Sequence, residues 1–378
     1  MNAPETALQG KHTVATAVLY IAFELSDRKW KLAVSDGTRA PSQHTVDAGD
    51  LPAVLACVAR AKARCGVLGP VVRRSCYEAG RDGFWLHRWL LEQGFDNVVV
   101  DSASIEVNRR ARRAKSDRLD ADKLVAMLMR YHGGERRVWS VVRVPTLQQE
   151  DARRLHRELE RLSREQTAHR NRIGSLLVLH NVRVKVIGGR GWQPWWEAQA
   201  ARLPEGLRGE IERELVRLAL VKAQMKALRA TQGAQVEEQV RPQVAQLARL
   251  RGLGIGSAWV LAAELFGWRR FANRRQVAGC VGLTPTPYQS GDSHVEQGIS
   301  KTGNRRVRVL LVELAWSWLR YQPQSALSQW FNTRFAGGGA RARRIGIVAV
   351  ARRLAIALWR YLEFGVMPSG AQLKPVGA

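Results

Sequence analysis

The N-terminal part of the chain alternates between short apolar runs and turn signals. Val14–Leu25 is a continuous apolar run rich in β-branched and aromatic residues, which predicts a buried central strand. Lys29–Ser35 alternates apolar and polar positions, as an outer strand does, and Asp36-Gly37 after it predicts a turn. With a short strand at Gln43–Val46, the chain is predicted to begin with three strands.

The predicted elements that follow alternate between helix and strand. They are a helix at Leu51–Arg64, a buried strand at Val67–Tyr77, an amphipathic helix at Phe84–Gln93 and a short strand at Asn97–Val100. A last helix follows, with Ser102 or Ser104 as its candidate N-cap. This order of elements is that of a ribonuclease-H-like domain, in which helices flank a mixed sheet. We therefore predict an α/β domain of this kind over residues 1–140.

Carboxylates fall at four separate places in this predicted domain. Glu24 lies near the end of the first strand, Glu78 follows the fourth strand, and Asp117 and Asp120 lie on the last helix. Residues three apart share a helix face, so the two aspartates point the same way, whereas Asp122 lies roughly 200° round from Asp120. Taken singly, each would be a surface carboxylate, and Asp117 could pair with a basic neighbour on its own helix. Taken together, they predict a site for a hard divalent cation.

From Leu147 the composition changes, and apolar residues adopt heptad spacing. The positions at heptad spacing on the first helix are 155, 159, 162, 166, 169, 173, 176 and 180. On the second helix, similar spacing is found for Ile211, Leu215, Leu218, Met225 and Leu228. The two segments predict a long helical hairpin or coiled coil over residues 141–243. The tryptophan-rich loop between them, Gly188–Trp196, could stack on bases, but packing at the hairpin tip or against a second subunit is the favoured interpretation.

The third predicted domain, residues 244–378, is mostly helical. Leu250–Leu265 has the pattern of a helix-hairpin-helix, with a helix end, a G-x-G turn and a new helix. Its glycines, Gly254 and Gly256, would let a nucleic-acid phosphate approach the backbone, although a tight helix–helix turn explains the same pattern.

A long segment of the third domain, Gln276–Asn304, has the Gly, Pro, Ser and Asp content of ordered loops rather than of long elements. It contains Ser290 in the turn PYQSGD, beside Gly291. A serine in a loop is usually a turn residue, but the basic residues that follow this segment could balance a phosphate. These neighbours make Ser290 a candidate functional residue.

Basic residues far outnumber acidic ones in this chain. Lys and Arg total 60 against 33 Asp and Glu, a formal net charge of +27, which predicts a nucleic-acid partner. The candidate nucleic-acid-binding side chains are Arg109, Arg110, Arg112, Arg113, Lys115, Arg118, Lys301, Arg305, Arg306 and Arg308. A second basic set, on the face of a C-terminal helix, is a candidate phosphate track and comprises Arg341, Arg343, Arg344, Arg352 and Arg353.

The sequence also bears on where the protein acts. No apolar run reaches the roughly 18 residues that span a membrane, and the N-terminus lacks the apolar region of a signal peptide. The four cysteines form no CxxC pair, which disfavours a zinc site and favours a reducing cytoplasm. We therefore expect a cytoplasmic, nucleoid-associated protein without a membrane partner.

Four stretches of the chain resemble the DEDD insertion-sequence transposases, the Piv-like recombinases of which some are guided by a bridge RNA. They are YEAGRDGFWLHRWL, VVDSASIEVNRRARRAKSDRLDADKL, GLGIGSAWVLAAEL and GLTPTPYQSGDSHVEQGISKTGNRRVR. The resemblance implies a RuvC-like N-terminal domain in which Glu24, Glu78, Asp117 and Asp120 bind one or two Mg²⁺ ions. It also implies that Ser290 attacks a DNA phosphate and forms a covalent phosphoserine.

The partners that the resemblance implies are donor and target DNA, a structured guide RNA, and further copies of the same chain. Family members act as dimers or tetramers in which the tetrad of one subunit meets the serine of another, and the central helices would assemble them. The chain departs from the family at the first position of the tetrad, where aspartate is usual and Glu24 stands. Asp27 is an alternative for that position, although it lies past the predicted strand end.

Two other classes of function fit the same residues. In a structure-selective nuclease similar to Holliday-junction resolvases, the tetrad would activate water and Ser290 would be incidental. In a non-catalytic nucleic-acid-binding protein, only the basic faces would act.

Overall fold

The apolar runs near the N-terminus form one mixed sheet of five strands. The computed structural model describes residues 17–66, 69–105, 117–237, 241–290 and 293–375, and the chain divides into two units, Met1–Val144 and Pro145–Ala378. In the sheet, the strands are β1 (Ala17–Glu24), β2 (Lys29–Ser35), β3 (Ser42–Asp47), β4 (Val71–Glu78) and β5 (Phe95–Val100), in the order β3-β2-β1-β4-β5. β1, β2 and β3 pair antiparallel, whereas β1, β4 and β5 pair parallel. The mixed α/β class predicted for this unit is confirmed.

Helices cover both faces of the sheet. α1 (Leu51–Arg64) and α2 (Trp85–Glu92) pack on the face that carries Phe23 and Tyr77, and α3 (Asp117–His132) packs on the opposite face. The N-cap prediction for the last helix was wrong at Ser102–Ser104, which forms a 3₁₀ turn. There the Ser104 hydroxyl donates to the carbonyl of Asp101 and accepts from the amide of Ser140, which ties this turn to the following loop.

The second unit is mainly helical. Its helices are α4 (Leu147–Asp151), α5 (Arg154–Val178), α6 (Trp192–Ala200), α7 (Glu205–Glu237), α8 (Pro242–Ala248), α9 (Ile255–Leu261), α10 (Arg274–Cys280), α11 (Arg305–Tyr321), α12 (Ala326–Phe331) and α13 (Ala340–Phe364). Short π-helical segments, Ala262–Phe266 and Asn332–Ala336, extend α9 and α12. No helix in the described part of the chain is long and apolar enough to cross a membrane.

The predicted helical hairpin is present as α5 and α7. Leu162 packs against Val221 and Met225 in a buried cluster between the two helices. The indoles of Trp192 and Trp196 are stacked, with ring centroids 6.1 Å apart, and both are buried beside the ends of the two long helices. Packing at the hairpin tip, rather than an exposed stacking surface, therefore accounts for these two tryptophans.

Segment 276–304 was predicted to form ordered loops rather than long elements, and its described residues contain no long element but do include a short hairpin. α10 ends within this segment, and β6 (Pro285–Ser290) pairs antiparallel with β7 (Ser293–Ile299). The prolines at 285 and 287 suggested a loop because proline cannot donate a backbone hydrogen bond. A two-stranded ribbon has two open edges, so alternate prolines are tolerated where the missing amide would face outwards.

Candidate functional site

Glu24 and Glu78 end adjacent parallel strands of the sheet. Phe23 of β1 is in register with Tyr77 of β4, so the next residues, Glu24 and Glu78, follow side by side at the carboxyl ends. Side chains alternate along a strand, which puts both glutamates on the face opposite to Phe23 and Tyr77. That is the face covered by α3.

The direction of α3 brings its first turn towards the two glutamates. At the far end of the helix, the His132 ring lies 6.3 Å from that of Tyr20, near the start of β1. Nearer the start of the helix, the Cys76 sulfur of β4 lies 3.8 Å from the carbonyl oxygen of Leu124. Because the helix runs opposite to β1 and β4, Asp117 and the half-buried Asp120 belong to the end of α3 nearest the carboxyl ends of the strands.

A cleft of about 390 Å³ lies at this end of the sheet, lined by Glu24 and Glu78 together with Asp27 and Asp82. Asp27, the alternative first acid, forms an ion pair with Arg81 at 2.9 Å. The carboxylate oxygens of the cleft are of the kind that Mg²⁺ prefers. Among the described side chains, however, no group of three or more His, Cys, Asp or Glu is close enough to hold a metal ion.

The start of α3 and the basic residues before it are only partly covered by the described residues. The side chain of Asp117 lies outside the described residues, as does that of Arg118. The same holds for the whole of the basic set Arg109, Arg110, Arg112, Arg113 and Lys115. Asp122 does not line the cleft and accepts a hydrogen bond from the side-chain amide of Gln43 on β3.

Ser290 is the last residue of β6, where it pairs with Ser293, the first residue of β7. The candidate nucleophile is therefore placed at the tip of a hairpin. Its side chain lies outside the described residues.

The base of this hairpin is held by close backbone contacts. The amide of Lys301 donates to the carbonyl of Gly282 at 3.1 Å, and that of Asn304 donates to Cys280 at 2.9 Å. A Cβ at Gly282 would lie 2.0 Å from the Thr302 oxygen. Only glycine fits there, so the loop after β7 is locked against the end of α10.

The basic residues after the hairpin fall into two groups. Lys301 and Arg305 are exposed. Arg308 instead donates to the carbonyl oxygens of Val281 and Thr302, at 3.0 and 2.9 Å, and Arg306 pairs with carboxylates. Two of these four cations thus also hold the fold together, and nucleic-acid binding stays a prediction for all four.

The G-x-G turn lies between α8 and α9, as predicted. Gly254 is the N-cap of α9 and Gly256 lies in its first turn. Both are exposed, and a Cβ at either would meet nothing within 4 Å. The surface is therefore open to a phosphate, and binding there stays a prediction.

The structure also assembles a buried charged cluster around Glu264, whose side chain is 1% exposed. His156 Nε2 lies 2.8 Å from Glu264 Oε1, and the Arg157 guanidinium donates to both carboxylate oxygens at 2.7 and 3.0 Å. The amide of Asn304, which caps α11, donates to the same carboxylate at 3.2 Å, and Arg306 lies 3.4 Å away. Glu264 thus joins α5 to the loop that follows the serine hairpin.

Sequence reasoning missed this cluster. Burial by itself would raise the pKa of Glu264, but the hydrogen bonds from His156 and Arg157 outweigh it and hold the pKa well below its usual range. The available signal was one acidic residue inside the apolar stretch AWVLAAEL. A buried carboxylate requires partners, and its partners here lie far away in the sequence.

Comparison with known proteins shows that the chain is similar to proteins named as transposases. Residues 244–329 match the family described as "Transposase IS116/IS110/IS902 family". The chain is 39% identical, over 94% of both chains, to a Sinorhizobium fredii protein named "Putative transposase y4rJ". It is also 24% identical, over 78% of both chains, to the transposase for insertion sequence element IS1111A of Coxiella burnetii.

Proposed function

Because this chain belongs to the IS116/IS110/IS902 family of transposases, we propose that it cuts and rejoins insertion-sequence DNA through a covalent phosphoserine at Ser290. In this proposal, Glu24, Glu78, Asp117 and Asp120 form an acidic site for one or two Mg²⁺ ions. The observation that carries it is the position of Glu24 and Glu78 directly after the register pair Phe23 and Tyr77, on adjacent strands covered by a helix whose first turn contains both aspartates.

The sheet supports a RuvC-like assignment for this unit. Three antiparallel strands followed by two parallel ones, with helices on both faces, are what a ribonuclease-H-like domain requires. In that arrangement the carboxyl ends of β1 and β4 supply acids from two strands and α3 supplies acids from a helix.

Mg²⁺, when bound, stabilises charge that develops on the scissile phosphate and its leaving oxygen. The four carboxylates of this chain would fix its position, and their negative charge would be offset by the cation and by nearby basic residues. Glu24 would stand where the resemblance implies aspartate, and its carboxylate can also ligate a cation.

In the covalent step, bonds form and break only between the serine and the DNA. The Ser290 oxygen bonds to phosphorus while the bond from phosphorus to one DNA oxygen breaks, and the proton of the serine hydroxyl ends on the released DNA hydroxyl. In the second step a hydroxyl of another strand attacks the phosphoserine and restores the serine. One phosphodiester is exchanged for another, so no external energy source is needed.

We propose donor and target DNA, a structured guide RNA and further copies of the chain as partners. The net charge of +27 supports binding of both nucleic acids. Assembly into a dimer or tetramer is supported by Val216 and Leu220, which lie one turn apart on α7 and are 70% and 59% exposed. Sequencing the RNA that copurifies with the protein from its source cells tests the guide directly.

The test of the covalent step compares two serines at the tip of one hairpin. Ser290→Ala and Ser293→Ala each remove one serine hydroxyl, and the two residues pair with each other in the hairpin. End-labelled insertion-sequence DNA is incubated with each protein and Mg²⁺, and protein-linked label is measured after denaturation. We expect Ser290→Ala to lose the adduct and strand exchange, and Ser293→Ala to retain both.

Each alternative class predicts a different outcome. A nuclease would still release cut DNA after Ser290→Ala and lose cleavage after Asp117→Asn with Asp120→Asn. A binding protein would show neither adduct nor cleavage in any form. Strand exchange that survives Ser290→Ala would refute the proposal.

A further inference from the structure

An arginine of α13 lies over the ring of Trp330, at the end of α12. The guanidinium carbon of Arg353, on α13, lies 3.8 Å from the centroid of the Trp330 ring, which is stacking distance. Arg353 is exposed, and Trp330 is partly buried. The ring therefore supports the guanidinium from below and leaves its outer face to solvent.

The platform beneath this arginine is rigid. Phe335 meets Trp330 edge-on, with ring centroids 5.4 Å apart. A Cβ at Gly346 of α13 would lie 2.5 Å from Phe335 and 2.9 Å from Phe331, so the helix backbone rests directly on these rings. The position of Arg353 is thus set by tight packing between α12 and α13.

Two further arginines add charge at the same place. Burial, together with the positive charges of Arg334 and Arg352, lowers the pKa of Arg353. Arg352 has a buried Nε atom without a hydrogen-bond partner. Within the described ranges, no carboxylate forms an ion pair with any of the three. Like charges held together without counter-ions destabilise the free protein, and an anion placed among them would relieve that repulsion.

We propose that Arg334, Arg352 and Arg353, with Trp330 as their platform, form a binding site for the phosphodiester backbone of nucleic acid. A guanidinium held flat on a ring presents its N–H groups at its edge, where they can contact two phosphate oxygens at once. The inference rests on the proposed function, since a recombinase must hold DNA or RNA outside its reacting centre. The site lies after residue 329, where the family match ends.

The experiment measures binding of the full-length protein to duplex DNA and to a structured RNA across a range of salt concentrations. Arg334→Gln with Arg353→Gln removes two charges from the site. Arg249→Gln with Arg320→Gln is the matched control, because it removes two exposed arginines of the same unit, one of which also lies over an aromatic ring. Melting curves verify that each variant is folded.

For the site variant we expect the slope of log K against log salt to fall by about 2, since each phosphate contact contributes about 0.9 on duplex DNA. The loss of affinity should be uniform across unrelated sequences. Arg353→Lys should keep the slope and still lose affinity severalfold, because an ammonium cannot make the flat, two-point contact. A smaller slope with DNA alone, with RNA alone or with both supports the site and identifies the strand that it holds.

Slopes equal to those of the control variant on both nucleic acids would overturn the inference. The result is independent of covalent chemistry, because Ser290→Ala should leave the slope unchanged. Absence of the covalent adduct in the wild-type protein, together with the expected slope change, would therefore reject the proposed function and keep this site.

Discussion

Glu264 has an environment that its neighbours in sequence do not suggest. It is a carboxylate inside an apolar helix, and it accepts from an imidazole, a guanidinium and an amide. Removing one partner from a buried charge group leaves the others uncompensated, which costs about 3–5 kcal/mol. The cluster is therefore expected to control the stability of the helical unit.

The first prediction concerns Glu264→Gln. At neutral pH we expect the free energy of unfolding to fall by about 3–5 kcal/mol, because Arg157 and His156 lose their negative partner. The pKa of Glu264 is lowered in the folded protein, so its stabilisation is complete above the ordinary value of 4.5 and is lost as the pH falls below it. Urea denaturation at several pH values should thus show wild type and variant converging in acid.

The control for this prediction is Glu160→Gln. Glu160 meets Arg306 from the surface, where its side chain is 43% exposed. Exposed ion pairs contribute at most about 1 kcal/mol, so this variant should remain close to wild type. Equal losses for the two variants would contradict the role assigned to burial.

The second prediction concerns Glu24, the first acid of the proposed tetrad. Glu24→Asp keeps the charge and should retain measurable adduct formation. Glu24→Gln should reduce the rate about 100-fold, which corresponds to losing roughly 3 kcal/mol of charge stabilisation. The yield of covalent protein–DNA adduct, followed over time, gives the rate for each of the two Glu24 variants.

Asp27→Asn supplies the comparison for Glu24. Asp27 is paired with Arg81 in the same cleft, so we expect its amide variant to react at nearly the wild-type rate. A large loss at Asp27 with none at Glu24 would assign the first acid to Asp27 instead.

At the scale of elements, close backbone packing at glycine positions anchors the base of the serine hairpin, formed by β6 and β7, to the end of α10. Gly303 has a φ of +74°, and a Cβ there would lie 2.2 Å from the Cys280 carbonyl oxygen. Gly298, within β7, has a φ of +88°, but a Cβ at that position would meet no atom within 4 Å. Replacing Gly298 therefore measures the cost of the backbone conformation alone, whereas replacing Gly303 adds the cost of a steric clash.

The third prediction uses that pair. Gly298→Ala should destabilise by about 1 kcal/mol, the typical cost of a left-handed alanine. Gly303→Ala should cost clearly more and should also displace the hairpin, so adduct formation should fall even where the protein remains folded. Chemical denaturation and adduct yield measure the two effects, and equal losses in both variants would exclude the clash as the cause.

At the scale of the whole molecule, the positive charge dominates. A net charge of +27 cannot be neutralised internally, so much of the basic surface is available to phosphates. The fourth prediction is that binding to duplex DNA weakens by about 10³-fold or more between roughly 50 and 200 mM salt, as expected for six to ten phosphate contacts. DNA-binding titrations at fixed temperature and several salt concentrations measure this affinity. An affinity that hardly changes with salt would contradict an interface dominated by phosphate contacts.

Most secondary structure could be predicted from local pattern. Lys29–Ser35 and Leu51–Arg64 have the predicted bounds, because alternation and helical spacing are properties of neighbouring residues. The serine hairpin could not be predicted, since its prolines argue against a strand unless the position of each open edge is known. The tetrad itself remains a prediction, and the structure adds the shared face of Glu24 and Glu78.

The sequence by itself determined the alternation of strands and helices, the excess of positive charge and the family, because all three depend on residue identity and short-range order. Only the tertiary structure decided which distant residues share an environment. His156, Glu264 and Asn304 meet through helix packing, and Arg353 of α13 lies over Trp330 of α12 where these two helices pack together. Contacts of this kind depend on how elements pack, and no local pattern along the chain encodes that packing.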